Sequence, residues 1–439
     1  MRCPDSFWRI PLFQPHHSKC RHGVNWQRRI VRNSGIFVPL KRHTEKCRLY
    51  WCFRHKQTAG ATMGVRPFEI AILDRQVEDL RRRLEAARFP GSIDDYDWQD
   101  GTDASYLRDI VEDWRTRYNW RSREREFNRL RHYVARIQGI DIHFIRAAPP
   151  RQKAIPLLLL HGWPSSFVQM LDVIPLLVEE RNDGTPSFDV IAASLPGYPF
   201  SSFPKMSGIG FARIADLMTE LMATVLGYER FAVRGSDHGG LVMQQMGLKY
   251  PGNLIGLHRS GITPFASPVP SDLDDAEKQY QAEVARWAIT ETAYARLQAQ
   301  RPETLVPALC DSPVGLASWI LEKFQRWGDC GGDDPDAQFD RDRLLDNLSL
   351  HWFTGSGAAS TRLYREAAKD QGVQGRVEVP TAILMPLRDG ATVPAPISWC
   401  QRSYNVQRFT IMPRGGHFPE WEVPNVVADD MREFFASLR

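Results

Sequence analysis

The chain has 439 residues, 43% hydrophobic and 25% charged, which excludes a wholly disordered or collagen-like protein and exceeds the usual size of one compact domain. Its net charge of +4 is uneven: residues 1–60 hold 13 Lys and Arg against 2 acids, leaving 43 basic and 50 acidic residues in the remainder. That basic stretch lacks a periodic apolar face, so it reads as a solvated tail and not as a nucleic-acid or anionic-lipid surface.

Residues 1–62 are expected to form a basic extension that is either unfolded or the product of translation upstream of Met63. N-terminal sequencing of the native protein distinguishes the two. Four of the seven cysteines (Cys3, Cys20, Cys47 and Cys52) lie there, and Cys310, Cys330 and Cys400 are scattered. No disulfide framework emerges, and drawing Cys20, His22, Cys47, Cys52 and His55 as a zinc site requires spacings that match no regular Cys-x-x-Cys pair. An Arg-rich start also suits a transit peptide, but no apolar signal core follows it and no run of 18 apolar residues occurs anywhere. The expectation is a cytoplasmic protein without a membrane span.

Leu73, Val77, Leu80 and Leu84 recur at helical spacing, and Pro90 follows as a stop, predicting an amphipathic helix over 70–84. A second helix is predicted over 104–118, and alternation around Gln138-Gly139 predicts a β-hairpin over 131–147. The N-terminal part thus reads as helices first, then strands. Short apolar runs follow at 155–160, 188–193, 231–234, 254–257, 381–385 and 408–411, separated by helical stretches. This alternation is the pattern of a doubly wound, mostly parallel sheet covered on both faces. Between 267 and 368 the strand signals vanish and a Trp-, Tyr- and Leu-rich helical segment intervenes. The expected organisation is the extension (1–62), an N-terminal helical segment (63–130), a core in two parts (131–266 and 369–439) and a helical lid inserted between them (267–368).

Gly235-Ser236-Asp237-His238-Gly239-Gly240 sits between a strand and a helix. A nucleophile elbow requires small residues two before and two after the nucleophile, because its turn is strained and closely packed. That frame selects Asp237. Ser236 fails it, since Arg234 and His238 would have to be glycine. The bland alternative is that Asp237 only caps the next helix. His161-Gly162-Trp163-Pro164 follows the strand at 155–160, where an α/β-hydrolase places an oxyanion-hole amide, so the N–H groups of Trp163 and His238 are the candidate pair. His417, in a glycine-rich loop after the last strand, is the candidate base. Asp389 is the acid best placed to hold it, because the chain order nucleophile, acid, histidine is that of an α/β-hydrolase triad. Glu420 and Glu422, close to His417 in sequence, are expected at the surface or behind the site. An aspartate nucleophile attacks alkyl carbon and leaves an ester that water cleaves at the acyl carbon, so the candidate targets carry a strained oxygen or a halide.

The chain resembles the microsomal-type epoxide hydrolases that carry an extra N-terminal domain. The resemblance runs over about 65–439 through Asp79-Leu80-Arg81-Arg82-Arg83-Leu84, Tyr118-Asn119-Trp120-Arg121, the His161–Pro164 turn, Ser194-Leu195-Pro196-Gly197-Tyr198, the Asp237 elbow, Asp311-Ser312-Pro313-Val314-Gly315-Leu316 and Arg414-Gly415-Gly416-His417-Phe418. It implies two lid tyrosines that hydrogen-bond the epoxide oxygen, matched here by Tyr294 and Tyr364. Three positions depart from the family pattern: His238 stands where tryptophan is usual, Asp389 lies one residue later than the family's acid, and Pro199 replaces a glycine. The expected activity is hydrolysis of a small-molecule epoxide to a vicinal diol through an aspartyl ester, with no cofactor and no metal. A haloalkane dehalogenase-like hydrolase and a non-catalytic binding protein on the same fold are the competing readings. The sequence carries no sign of oligomeric state.

Overall fold

The computed structural model describes residues 64–438 apart from 90, 92–96, 151–153, 263–268 and 371. The expectation for the basic extension, including its cysteines, lies outside the described residues. The described chain opens with β1 (Val65–Phe68), α1 (Asp74–Glu85), α2 (Ala104–Thr116), α3 (Trp120–Phe127), β2 (Arg131–Ile137) and β3 (Ile140–Ala147). It therefore begins with a strand, not with helices as the sequence suggested. β1 has four residues including Pro67 and lies at the sheet edge, paired only with β2, so neither length nor alternation announces it.

The core continues through β4 (Ile155–Leu160), α4 (Val173–Val178), β5 (Phe188–Ala193), α5 (Phe211–Glu220), β6 (Phe231–Gly235), α6 (Asp237–Lys249) and β7 (Leu254–Ser260). Among the described residues seven α-helices then precede the next strand: α7 (Asp275–Glu291), α8 (Ala293–Gln300), α9 (Pro302–Asp311), α10 (Pro313–Trp327), α11 (Arg341–Thr354), α12 (Ser356–Ala359) and α13 (Thr361–Lys369). The chain closes with β8 (Val377–Pro386), α14 (Ile397–Ser403), β9 (Tyr404–Met412), α15 (Pro419–Glu422) and α16 (Pro424–Ala436).

The nine strands form one sheet in the order β1-β2-β3-β5-β4-β6-β7-β8-β9. Its first three pairings are antiparallel, and every pairing from β5 to β9 is parallel. Parallel strands covered by helices are buried on both faces, which is why β4 reads as an unbroken apolar run. Leu157 to Leu160 are all buried, and Leu158→Ala would cost about 2–5 kcal/mol through lost burial and a cavity. Helices α5 and α6 pack on each other, as do α4 and α16. The N-terminal segment is tied to the helices between β7 and β8 by polar contacts as well as apolar ones. Trp114 Nε1 donates to Ser349 Oγ at 2.9 Å, and buried Asp346 accepts from Tyr118 Oη and from Arg123 Nε, both at 2.8 Å. Among the described residues no single helix is long and apolar enough to cross a membrane.

Candidate active site

Strand β6 ends at Gly235, and α6 begins at Asp237. Asp237 has φ +49°, in the left-handed region, which costs a non-glycine residue about 1–3 kcal/mol and persists only where the surroundings enforce it. The surroundings are tightly packed. A Cβ on Gly239 would collide with the carbonyl of Leu160 at the end of β4, and one on Gly162 would overlap the Asp237 side chain. The two glycines let the elbow and the loop after β4 approach each other closely enough for Trp163 N–H to donate to Asp237 Oδ1 at 2.8 Å. The backbone N–H of His238, the next residue, also favours the ionised carboxylate.

His417 is held on the loop after β9, where its N–H donates to the Trp327 carbonyl at the end of α10 (3.0 Å). Its Nδ1 lies 3.1 Å from both oxygens of Asp389, and its Nε2 lies 3.6 Å from Asp237 Oδ2, too far for a hydrogen bond. That nitrogen is buried with no hydrogen-bond partner and faces the nucleophile. A cavity of about 220 Å³ lies here, and Asp237, His238, Tyr294, Tyr364, Asp389 and His417 all line it. Tyr294 stacks on Trp163 with ring centroids 5.2 Å apart, and Tyr364 meets the same indole edge-on at 5.6 Å. The two tyrosine rings meet edge-on, with centroids 5.8 Å apart. The structure thus brings all seven candidate residues together, six around the cavity and Trp163 beneath the tyrosines.

Burial opposes ionisation of Asp237, but the imidazoles of His238 and His417 and the backbone donors outweigh it and hold the carboxyl below its usual range. Burial would likewise strip the proton from His417, yet the Asp389 and Asp237 carboxylates on either side raise it to about 10. The resting site is therefore a carboxylate, an imidazolium and a carboxylate in sequence. Burial and the Asp237 charge push both Tyr294 and Tyr364 upward, so they remain protonated donors. His238 is shifted down by burial, and its Nδ1 lies 3.1 Å from Tyr198 Oη. Among the described residues no group of His, Cys, Asp and Glu is arranged to hold a metal ion.

Of the two places expected for Glu420 and Glu422, the structure puts both behind the site. Glu420 is fully buried. Glu422, pushed up to about 7 by burial, accepts the N–H groups of Gly416, Phe418 and Asp329, each at 2.8 Å. The short helix α15 turns the chain back on the His417 loop, so sequence neighbours do meet. Sequence reasoning missed Arg234, Gln169 and Tyr198 as members of this region. Only an Arg inside an apolar strand run, at position 234, hinted at a buried ion pair.

Residues 65–170 match the family described as Epoxide hydrolase N terminus, and residues 155–299 match alpha/beta hydrolase fold. The chain is 31% identical to Epoxide hydrolase 1 of Sus scrofa, over 89% of this chain and 92% of that one. It is 33% identical to Juvenile hormone epoxide hydrolase 2 of Ctenocephalides felis, over 84% of each. The crystal structure of juvenile hormone epoxide hydrolase from the silkworm Bombyx mori matches it with a TM-score of 0.76 at 30% identity, covering 85% of this chain and 94% of that chain. With its α/β-hydrolase fold, its N-terminal segment and this extent of identity, the chain belongs to the epoxide hydrolase family.

Proposed function

We propose that the protein hydrolyses small epoxides to vicinal diols through an ester on Asp237. The observation that carries this reading is an aspartate, not a serine, at the strained elbow, facing a cavity that also holds two protonated phenols. A carboxylate oxygen of Asp237 attacks an epoxide carbon, the carbon–oxygen bond breaks, and the alkoxide takes a proton from the Tyr294 and Tyr364 pair. The imidazolium of His417 restores that proton to the tyrosine and becomes neutral. Esterification also removes the Asp237 charge, so only Asp389 still favours the imidazolium, and His417 becomes a base.

Neutral His417 then takes a proton from water as the water oxygen adds to the Asp237 acyl carbon. The N–H groups of Trp163 and His238 stabilise the oxyanion. Collapse expels the diol as an alkoxide, which takes the proton of the newly formed Asp237 acid; Asp237 returns to a carboxylate, His417 remains the imidazolium, and atoms and charges return to the starting state. We read the helices between residues 267 and 368 as a lid, because they supply both tyrosines to a cavity whose floor is the elbow. No step calls for a cofactor or metal.

Turnover of styrene oxide compared with a bromoalkane tests the reading. The two phenols suit an opening epoxide oxygen, so the epoxide should be consumed and the bromide not. Release of bromide at a comparable rate would favour a dehalogenase, and inertness toward both would favour a binding protein.

A further inference from the structure

Beneath the site lies a buried ion pair whose members come from the strand before Asp237 and the short helix after His417. Arg234 and Glu420 are both fully buried. Arg234 Nε donates to Glu420 Oε1 at 2.9 Å, and Gln169 Nε2 donates to Glu420 Oε2 at 2.6 Å. Gln169 Oε1 in turn accepts from Ser165 Oγ. On its other side Arg234 reaches Ser260 Oγ at 2.7 Å and His258 Nδ1 at 2.9 Å, and His258 Nε2 lies 2.8 Å from Asp430 Oδ2.

The positions of these residues give the network its meaning. Arg234 is three residues before Asp237, Glu420 three after His417, and Ser165 two after Trp163. One carboxylate therefore ties the nucleophile strand, the base loop and the oxyanion loop together. Stability alone is a poor reason for such a pair, because replacing a buried ion pair with well-packed apolar residues is often neutral or stabilising. Fixed geometry is a better one, since a displacement of about 1 Å can cost roughly 10²-fold in rate.

We propose that Glu420 is a positioning residue: through Arg234 and Gln169 it sets the His417 and Trp163 loops in register with Asp237, and it governs the ester-hydrolysis step above all. The claim rests on the aspartyl-ester reading. The elbow is already held by its glycines, whereas the Gln169–Glu420 bond joins the base loop directly to the oxyanion loop. Hydrolysis needs both loops at once, His417 as the base for water and the Trp163 N–H as an oxyanion donor, whereas in alkylation the Trp163 N–H only orients Asp237 and His417 only returns a proton to the tyrosine after the epoxide has opened.

The test is single-turnover kinetics on styrene oxide, with quenched samples weighed by intact-protein mass spectrometry, for Glu420→Gln and for the apolar pair Arg234→Met/Glu420→Leu. The apolar pair leaves no uncompensated buried charge. The expected result is a protein with a native far-UV spectrum in which ester hydrolysis slows tenfold or more, alkylation changes less than threefold and the ester accumulates. A smaller loss of hydrolysis in a folded variant overturns the proposal. So does an equal loss in both steps, or failure of both variants to fold, each of which makes the pair a general structural support. If the wild-type control forms no ester on Asp237, the aspartyl-ester reading falls and the proposal with it.

Discussion

Asp389 holds His417 with both carboxylate oxygens, each 3.1 Å from Nδ1, and so aims Nε2 at Asp237 on the far side of the imidazole. Three charges in a row inside a buried cavity make the protonation of His417 depend on whether Asp237 carries its charge.

The pH dependence follows with a definite sign. His417 is raised from 6.5 to about 10, and a basic group with a raised folded-state value contributes stability that is full below its unfolded value and is lost as pH rises toward the folded one. This contribution should fade between about pH 6.5 and 10. Asp237→Asn removes one of the two supporting carboxylates, so an NMR titration of the His417 ring should move to lower pH and the loss of thermal stability over that window should become shallower. An unchanged titration would show that Asp237 does not support the imidazolium.

His417→Gln should allow alkylation and stall hydrolysis, because the base that activates water is gone while the nucleophile remains. Intact-protein mass spectrometry should find one substrate adduct, located on Asp237 by peptide mapping. Normal turnover, or an adduct elsewhere, would remove His417 from the base role.

Tyr294→Phe and Tyr364→Phe each delete one donor where negative charge develops, and loss of a comparable oxyanion donor costs roughly 10²- to 10³-fold. Pre-steady-state alkylation should fall by that order in each single variant and nearly vanish in the double variant. Unchanged opening rates would make both rings ordinary wall residues.

Gly162→Ala should impair activity far more than stability, since the new methyl group would overlap the Asp237 side chain itself. The relief available is displacement of the nucleophile from the Trp163 N–H. A thermal midpoint close to wild type, with styrene oxide turnover down tenfold or more, is the expected pair of results. Full activity would mean that the two loops part easily.

Much of this was legible from residue order because the relevant constraints are local. The apolar runs of β4, β5 and β6 mark strands buried on both faces, and the glycine frame around Asp237 reflects contacts within one turn and with the end of β4. The short strand β1 escaped because Pro67 and an edge position remove its signal. The pairing of Arg234 with Glu420 spans 186 residues, and nothing local to either residue encodes it. Glu422 lies behind the site, one of its two expected places, because α15 folds a short segment back on itself, so a residue five positions after His417 reaches the backbone on both sides of it.

The origin of the diol's new oxygen tests the covalent route most directly. With enzyme in excess over styrene oxide in heavy-oxygen water, the first turnover should release a diol carrying ordinary oxygen, because Asp237 donates its own carboxylate oxygen to carbon. Solvent oxygen should then remain on Asp237, detectable in the peptide that contains it, and reach the diol only in later turnovers. Heavy oxygen in the first-turnover diol would mean that water attacks the epoxide directly, and it would contradict the aspartyl ester.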